Sequence, residues 1–251
     1  GAQNYIYTFT QDPLFWGAVR RTAMWAVTVV TLGVSGALGL ALLVNAKLRG
    51  TAIYRIAFFI PTLTPAVAAV LIWSWILQPT YGPLNSALLW LGLPAPGWLQ
   101  SKTWVIPGLL LIYLWLNLGG ANMIIFLAGL QNVPQELYDA AQVDGASKLN
   151  AFRHVTLPML SPTLFYVLVV GMIGGLRVFT LPYMISTSGW SLGGPEYTTW
   201  FYLIHLYANA FMYTQIGLGS ALAWLFFIAV VLLTILQFVG SRRWVYYEAG
   251  A

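Results

Sequence analysis

The 251-residue chain is 59% hydrophobic and only 7% charged, against roughly 25% charged residues in a soluble domain. So little charge cannot cover a water-facing surface, which excludes a soluble globular protein and leaves a membrane-embedded one. The absence of cysteine excludes a disulfide framework, a thiolate metal site and a cysteine nucleophile. The net charge of +5 comes from bases scattered singly or in pairs, a pattern that sets membrane topology rather than binding nucleic acid.

In chain order, the first twenty residues, GAQNYIYTFTQDPLFWGAVR, lack the basic start and apolar core of a cleavable leader. They read as a polar, aromatic lead-in to a first span. A transmembrane helix needs about 20 mostly apolar residues, and five runs qualify: 22–46, 56–77, 104–130, 160–184 and 215–240. Each lacks strand-like alternation, and open non-helical backbone is not tolerated in lipid. The fold class is therefore all-α, a polytopic transmembrane helical bundle with about five spans. No tandem repeat or low-complexity tract interrupts it, so residues 1–251 read as one membrane domain.

Orientation follows from the connections. One side carries Lys47, Arg49, Arg55, Lys148, Arg153, Arg242 and Arg243, and the other Arg20, Arg21 and Lys102. The bias predicts a cytoplasmic C-terminus, a cytoplasmic loop at about 131–160 and an exterior N-terminus. An exterior N-terminus without a leader predicts a further helix ahead of this chain. The exterior connections at 78–98 and 187–207 are rich in Pro, Gly and Trp, which suits interfacial turns and aromatic anchors.

The loop between the third and fourth spans, ELYDAAQVDGASKLNAFRHVTLP at 136–158, holds three of the chain's six acids and two of its eleven bases. Pro134 suits the first turn of a helix, and Glu136 and Asp139 complement its positive end. Leu137, Ala140 and Ala141 share one face, and Gly145 stands where a left-handed stop is expected. Ser147 is placed to cap a second short helix with Leu149, Phe152 and Val155 on its apolar side, ended by Pro158. The expected product is two short helices at a tight bend. One reading is an amphipathic loop on the bilayer surface. The other is docking into a cytoplasmic partner, favoured because an alanine face buries too little area to anchor in lipid.

At these residues the sequence resembles the membrane-spanning subunits of bacterial ATP-binding-cassette importers. Asp139, Ala140, Ala141, Gly145, Val155, Leu157 and Pro158 match their Glu-Ala-Ala, Gly, Ile-x-Leu-Pro loop motif in spacing, with Asp for Glu and Val for Ile. Further stretches, FWGAVRRTAMWAVTVV, LVNAKLRGTAIYRIAFFIPTLTPAVAAVLIWSWIL, NMIIFLAGLQNVPQELYDAAQVDGAS and GGPEYTTWFYLIHLYANAF, make it similar to the carbohydrate-importer branch, the maltose- and glycerol-phosphate-transporter permeases. The resemblance implies a bacterial inner-membrane permease that pairs with a second permease. It also implies an external solute-binding protein, two cytoplasmic ATP-binding subunits and a carbohydrate substrate. In that scheme Glu136, Asp139, Ala140, Ala141, Asp144, Gly145, Leu157 and Pro158 couple the chain to the ATPase.

The chain itself reads as non-catalytic. None of its lysines, Lys47, Lys102 and Lys148, belongs to a phosphate-binding G-x-x-x-x-G-K-[ST] loop, so ATP and magnesium are expected on partner subunits and no cofactor here. His154 and His205 lie far apart without metal-ligand spacing. His154 reads as a solvated or interface side chain, and His205 as a surface side chain in an aromatic segment. Arg177 has no acid in its span, and both snorkelling to the interface and lining a pathway remain open. Asn117 and Asn122 suit sugar hydroxyls or helix–helix hydrogen bonds equally. Trp115 and Tyr183 are candidate stacking platforms. Gly171 and Gly175 form a G-x-x-x-G face expected to pack closely, against the partner permease. Alternatives within transport are glycerol phosphodiesters or another polar solute. A secondary transporter is disfavoured because the spans hold no acid, and a scaffold protein leaves the spaced motif unexplained.

Overall fold

A computed structural model describes residues 2–46, 50–187 and 192–246. Lys47 and Arg49, two of the charges in the orientation reading, lie outside the described residues. Among those described, every regular element is helical: α1 (Ala2–Thr10), α2 (Phe15–Asn45), α3 (Thr51–Phe59), α4 (Ala66–Ile76), α5 (Pro83–Trp90), α6 (Val105–Asn117) and α7 (Ala121–Gln131). They are followed by α8 (Gln135–Val143), α9 (Lys148–Ala151), α10 (Leu157–Leu176), α11 (Thr180–Thr187), α12 (Tyr202–Tyr207) and α13 (Ile216–Ser241).

Three helical runs are long and apolar enough to cross a membrane: Phe15–Asn45, Lys148–Ser186 and Ile216–Ser241. Two further pairs, Thr51–Leu63 with Ala66–Ile76 and Val105–Asn117 with Ala121–Gln131, raise the number to five if each pair is one span. The second and third expected spans are thus broken rather than continuous. Pro65, at φ −55° and ψ 137°, starts α4. A proline has no N–H for the preceding turn and pushes the residue before it out of the helical region. Gly120 starts α7 at φ −78° and ψ −140°, a conformation open to glycine at little cost.

The first expected span, α2, begins at Phe15 rather than at residue 22, and Asp12 organises its start. Asp12 Oδ1 accepts from the backbone N–H of Leu14 at 2.9 Å and of Phe15 at 3.2 Å. Anionic acceptors satisfy the unpaired donors of a helix start. The polar, aromatic lead-in itself contains α1, on which Thr8 is buried.

The described chain divides into two compact units. The first comprises residues 1–29, 64–116 and 173–231. Its core joins Trp25 and Val29 of α2, Val70 of α4, Leu109 and Ile112 of α6, and Trp200, Phe201 and Ile204. A smaller cluster packs Phe15 against Tyr202, Leu218 and Leu222. Gly175, expected to meet a partner subunit, instead faces Ala26 of the same chain, whose Cα would lie 3.0 Å from an added Cβ. Small residues let helix backbones approach in this way.

The second unit comprises residues 30–63, 117–172 and 232–251. Ala37 and Ala41 of α2 are fully buried beside Met123 and Phe126 of α7 and Leu160 of α10. Gly119 is required by close approach: a Cβ there would stand 2.4 Å from the carbonyl oxygen of Phe58. Tyr246 donates its backbone N–H to Ser161 Oγ at 2.8 Å, tying the C-terminal tail to α10.

Candidate functional site: the double-capped loop and the polar and aromatic candidates

The segment 134–158 is built by two opposed caps. At the end of α8, the N–H of Gly145 bonds the carbonyl of Gln142 at 3.1 Å and the N–H of Ala146 bonds that of Ala141 at 2.9 Å. These are the paired bonds of a Schellman stop. They need the left-handed conformation that Gly145 adopts, φ +74°. Two residues later Ser147 Oγ accepts from the N–H of Asn150 at 3.3 Å and starts α9. At the front, Pro134 precedes α8, Glu136 lies in its first turn, and Gln135 donates to Asp139 Oδ1 at 3.2 Å.

This double-capped bend presents its side chains outward. Glu136, Asp139, Ala140, Asp144 and Gly145 are exposed, and Ala141 is half-buried. Leu137 and Leu149 are also exposed, as is Val143, at 88%. These three apolar side chains are left uncovered by the chain's own fold. Val143 is the most exposed of them, although the sequence reading did not single it out. Tyr138 and Thr156 approach through their hydroxyls at 3.0 Å, holding α8 to the following helical run.

One expectation about this segment is corrected. Pro158 does not end the second short helix. Instead α9 runs through a π turn at Phe152–Thr156 into α10, with the N–H of Leu157 bonded to the carbonyl of Phe152. A proline ring collides with the carbonyl one α-turn earlier. The wider turn immediately ahead of Pro158 relieves that clash while keeping the helix continuous. Leu157 and Pro158 are half-buried at the start of α10.

Of the intramembrane candidates, Trp115 is partly exposed and meets Trp73 edge-on, with centroids 5.7 Å apart. Asn117 is exposed at the end of α6, and Asn122 is half-buried in the first turn of α7. Arg177 is exposed just beyond α10 and forms no ion pair with another described residue. Tyr183 stacks on Phe179 at 5.1 Å, and its hydroxyl lies 3.3 Å from that of Tyr207. The aromatic set is thus Phe179, Tyr183 and Tyr207. The pairing with Tyr207 raises that residue's phenol above its ordinary value.

His154 is exposed, with Nδ1 3.0 Å from the carbonyl of Asn150. His205, expected at the surface, is buried. Its Nε2 lies 2.8 Å from Asp12 Oδ2, and its Nδ1 accepts from Trp200 Nε1 at 3.0 Å. Asn209 donates to the His205 carbonyl at 2.9 Å. An indole N–H can only donate, so it fixes the neutral tautomer with the proton on Nε2. Burial holds the imidazole below its ordinary pKa, although Asp12 pulls in the other direction. Tyr202, which donates to the Leu222 carbonyl at 2.8 Å, has its phenol pushed up by burial. No spacing in the sequence links Asp12 to His205, so only the fold reveals the pair. Among the described residues no three His, Cys, Asp or Glu side chains gather in a metal-binding group.

The helical chain, with runs long and apolar enough to cross a membrane and an exposed double-capped loop, is placed in a transport family by comparison with known proteins. Residues 29–246 match the family model of the binding-protein-dependent transport system inner membrane component. The chain belongs to that family. It is 36% identical over 251 residues to a probable ABC transporter permease, YesP, of Bacillus subtilis strain 168, covering 99% of this chain and 79% of that protein. It is 34% identical to the sulfoquinovosyl glycerol transport system permease SmoG of Agrobacterium fabrum, covering 89% and 70%. In fold it is similar to a chain of the bacterial alginate ABC transporter in complex with its alginate pentasaccharide-bound periplasmic protein. The TM-score there is 0.84 at 22% identity, covering 97% of this chain and 83% of that one.

Proposed function

We propose that this chain is one of two permease subunits of an ATP-driven importer of sugars. A solute-binding protein delivers the saccharide from outside, two cytoplasmic ATP-binding subunits drive the cycle, and the loop at 136–158 couples them to the pathway. The observation that carries the reading is the exposed, double-capped α8–α9 bend with Leu137, Val143 and Leu149 left uncovered. Two helices fixed by back-to-back caps transmit a push, whereas a floppy loop absorbs it. Support for a saccharide comes from the named substrates of the sulfoquinovosyl glycerol relative and the alginate transporter.

In this reading the C-terminus and the α8–α9 element lie in the cytoplasm, in agreement with the distribution of Lys and Arg. ATP and magnesium are bound by the partner ATPases. The alanines at 140 and 141 allow α8 to sit deep in a groove, and Glu136, Asp139 and Asp144 border the contact with negative charge. Asn117, Asn122, Trp115, Arg177 and Tyr183 are proposed to face the sugar along the pathway, amides toward hydroxyls and rings toward the sugar face.

The test is purification of the tagged chain from its native membrane, followed by reconstitution with the copurifying subunits. ATP hydrolysis should rise when the cognate binding protein is supplied loaded with saccharide and stay low with the empty protein. A chain that purifies without an ATPase and transports solute alone would refute the reading.

A further inference from the structure

A cavity of about 470 Å³ opens on the first compact unit, and neither the loop residues nor the pathway candidates just described line it. Its rim carries Arg21, Lys102 and Glu196, and its walls are formed by Met24, Trp25, Ile106, Leu110 and Phe201. The arrangement of charge along it is graded. Arg21 is the last charge before the apolar run of α2 begins at Thr22, which places it at the level where headgroups meet hydrocarbon. Met24 lies one turn further along α2, and Ile106 and Leu110 lie in the first two turns of α6. The cavity is therefore charged at the membrane edge and mostly apolar along its depth, where the Thr28 hydroxyl donates to the Met24 carbonyl at 2.8 Å.

The polar end is short of acceptors. Lys102 is already paired with Glu196 at 2.5 Å in an exposed ion pair. Arg21 Nη1 and Trp25 Nε1 are both buried without a hydrogen-bond partner among the described residues. Trp25 is itself 3% exposed, held edge-on to Tyr113 and packed against Phe201. The Arg21 side chain lies back over Gly17, where a Cβ would stand 2.9 Å from Nη1, so the guanidinium stays close to the helix surface at its polar end. Guanidinium and indole N–H groups only donate, and buried donors are normally paired. Two orphan donors one turn apart on α2 call for a ligand that brings acceptors and, opposite Arg21, negative charge.

We infer that this cavity binds an anionic phospholipid, with its phosphate on Arg21, a glycerol or ester oxygen on Trp25, and an acyl chain along Met24, Ile106 and Leu110. A phosphodiester supplies the planar acceptor face that a guanidinium matches, and the apolar walls take the chain that a free phosphate or a sugar lacks. The exposed flank of Met24, 56% accessible, leaves the groove open to such a molecule sideways from the bilayer.

The experiment is native mass spectrometry of the purified transporter titrated with phosphatidylglycerol or phosphatidylcholine of identical acyl chains. Wild type should retain phosphatidylglycerol with a preference on the order of tenfold: both lipids offer the phosphodiester, but the choline cation cancels its charge and is repelled beside Arg21 and Lys102. Arg21→Met should remove the preference, Arg21→Lys should keep part of it, and Trp25→Phe should lower retention of the bound lipid. Because these variants can fail to assemble, wild type is also challenged with millimolar glycerol 3-phosphate, which should leave the adduct in place. Equal retention of the two lipids by wild type overturns the proposal and fits a groove filled by a partner helix. Displacement by glycerol 3-phosphate overturns it in favour of a soluble-anion site. Persistence of the preference in Arg21→Met overturns it as well. None of these results depends on which solute the transporter carries.

Discussion

His205 Nε2 and Asp12 Oδ2 lie 2.8 Å apart, joining the turn before α2 to helix α12, and both side chains are almost wholly buried. The pair stands outside the long spans. With Trp200 donating to Nδ1, the neutral imidazole satisfies both nitrogens, and a second proton would displace the indole. Folding therefore resists protonation of His205, and its pKa lies below the ordinary 6.5. The unfolded chain takes up that proton first as pH falls. This contribution to stability is thus full above about pH 6.5 and declines below it. Thermal unfolding in detergent between pH 7.5 and 5 should show the decline in wild type and a flatter profile in His205→Gln. Asp12→Ala leaves a buried donor unpaired and should cost about 1–3 kcal/mol, read as a lower melting temperature.

Two glycines make opposite predictions. At Gly119 an added Cβ would meet backbone, the Phe58 carbonyl oxygen at 2.4 Å, whereas at Gly174 nothing lies within 4 Å. Gly119→Ala should separate α3 from the start of α7 and lower both membrane abundance and melting temperature. Gly174→Ala, within α10, should be neutral or gain up to about 1 kcal/mol from helix propensity. Equal behaviour of the two variants in a detergent melt would contradict the close approach at Gly119.

The parts of this fold that were legible in the sequence are local. The Gly145 stop and the Ser147 cap depend on backbone preference and on a hydroxyl within three residues, so their residue types announce them. The five apolar runs are visible because bilayer thickness sets their length. Their breaks were signalled by Pro65 and by Gly119–Gly120, but averaging hydropathy over a span conceals such punctuation. Pro158 misled for a related reason: a stop signal at one position was absorbed by a π turn just ahead of it. The Asp12–His205 pair could not be read at all, because tertiary packing, of Phe15 against Tyr202 and of Trp25 against Phe201, brings those distant segments together.

Arg177 tests the proposed pathway. Its side chain is exposed at the end of α10, without an ion-pair partner among the described residues. If it meets substrate, Arg177→Ala should change how strongly loaded binding protein stimulates ATP hydrolysis while the subunits still copurify. The loss should be greater for an anionic glycoside than for a neutral one, since the guanidinium bonds charge more strongly than hydroxyls. Unchanged stimulation and uptake would make the residue an interfacial anchor.

Gly145 is where loop geometry and the proposed coupling meet. Its φ of +74° is needed for the bonds from Gly145 to Gln142 and from Ala146 to Ala141, and no neighbour lies within 4 Å of an added Cβ. A substitution there meets no collision with neighbouring groups, and its cost lies in the backbone, on the order of 1–3 kcal/mol for a β-branched residue. That is small beside the burial of apolar spans in lipid, so Gly145→Val should insert and accumulate near the wild-type level. It is large enough to re-aim α8 relative to α9, turning Ala140, Ala141 and Val143 away from the proposed docking contact. Uptake should fall, with the ATPase either lost on purification or hydrolysing without control by substrate. Asn tolerates the left-handed region better than Val, so Gly145→Asn should retain more coupling than Gly145→Val. Membrane abundance, ATPase copurification and uptake, measured on both variants, separate a folding defect from an uncoupled transporter. Normal uptake by Gly145→Val with the ATPase bound would show that the α8–α9 bend is not the coupling element.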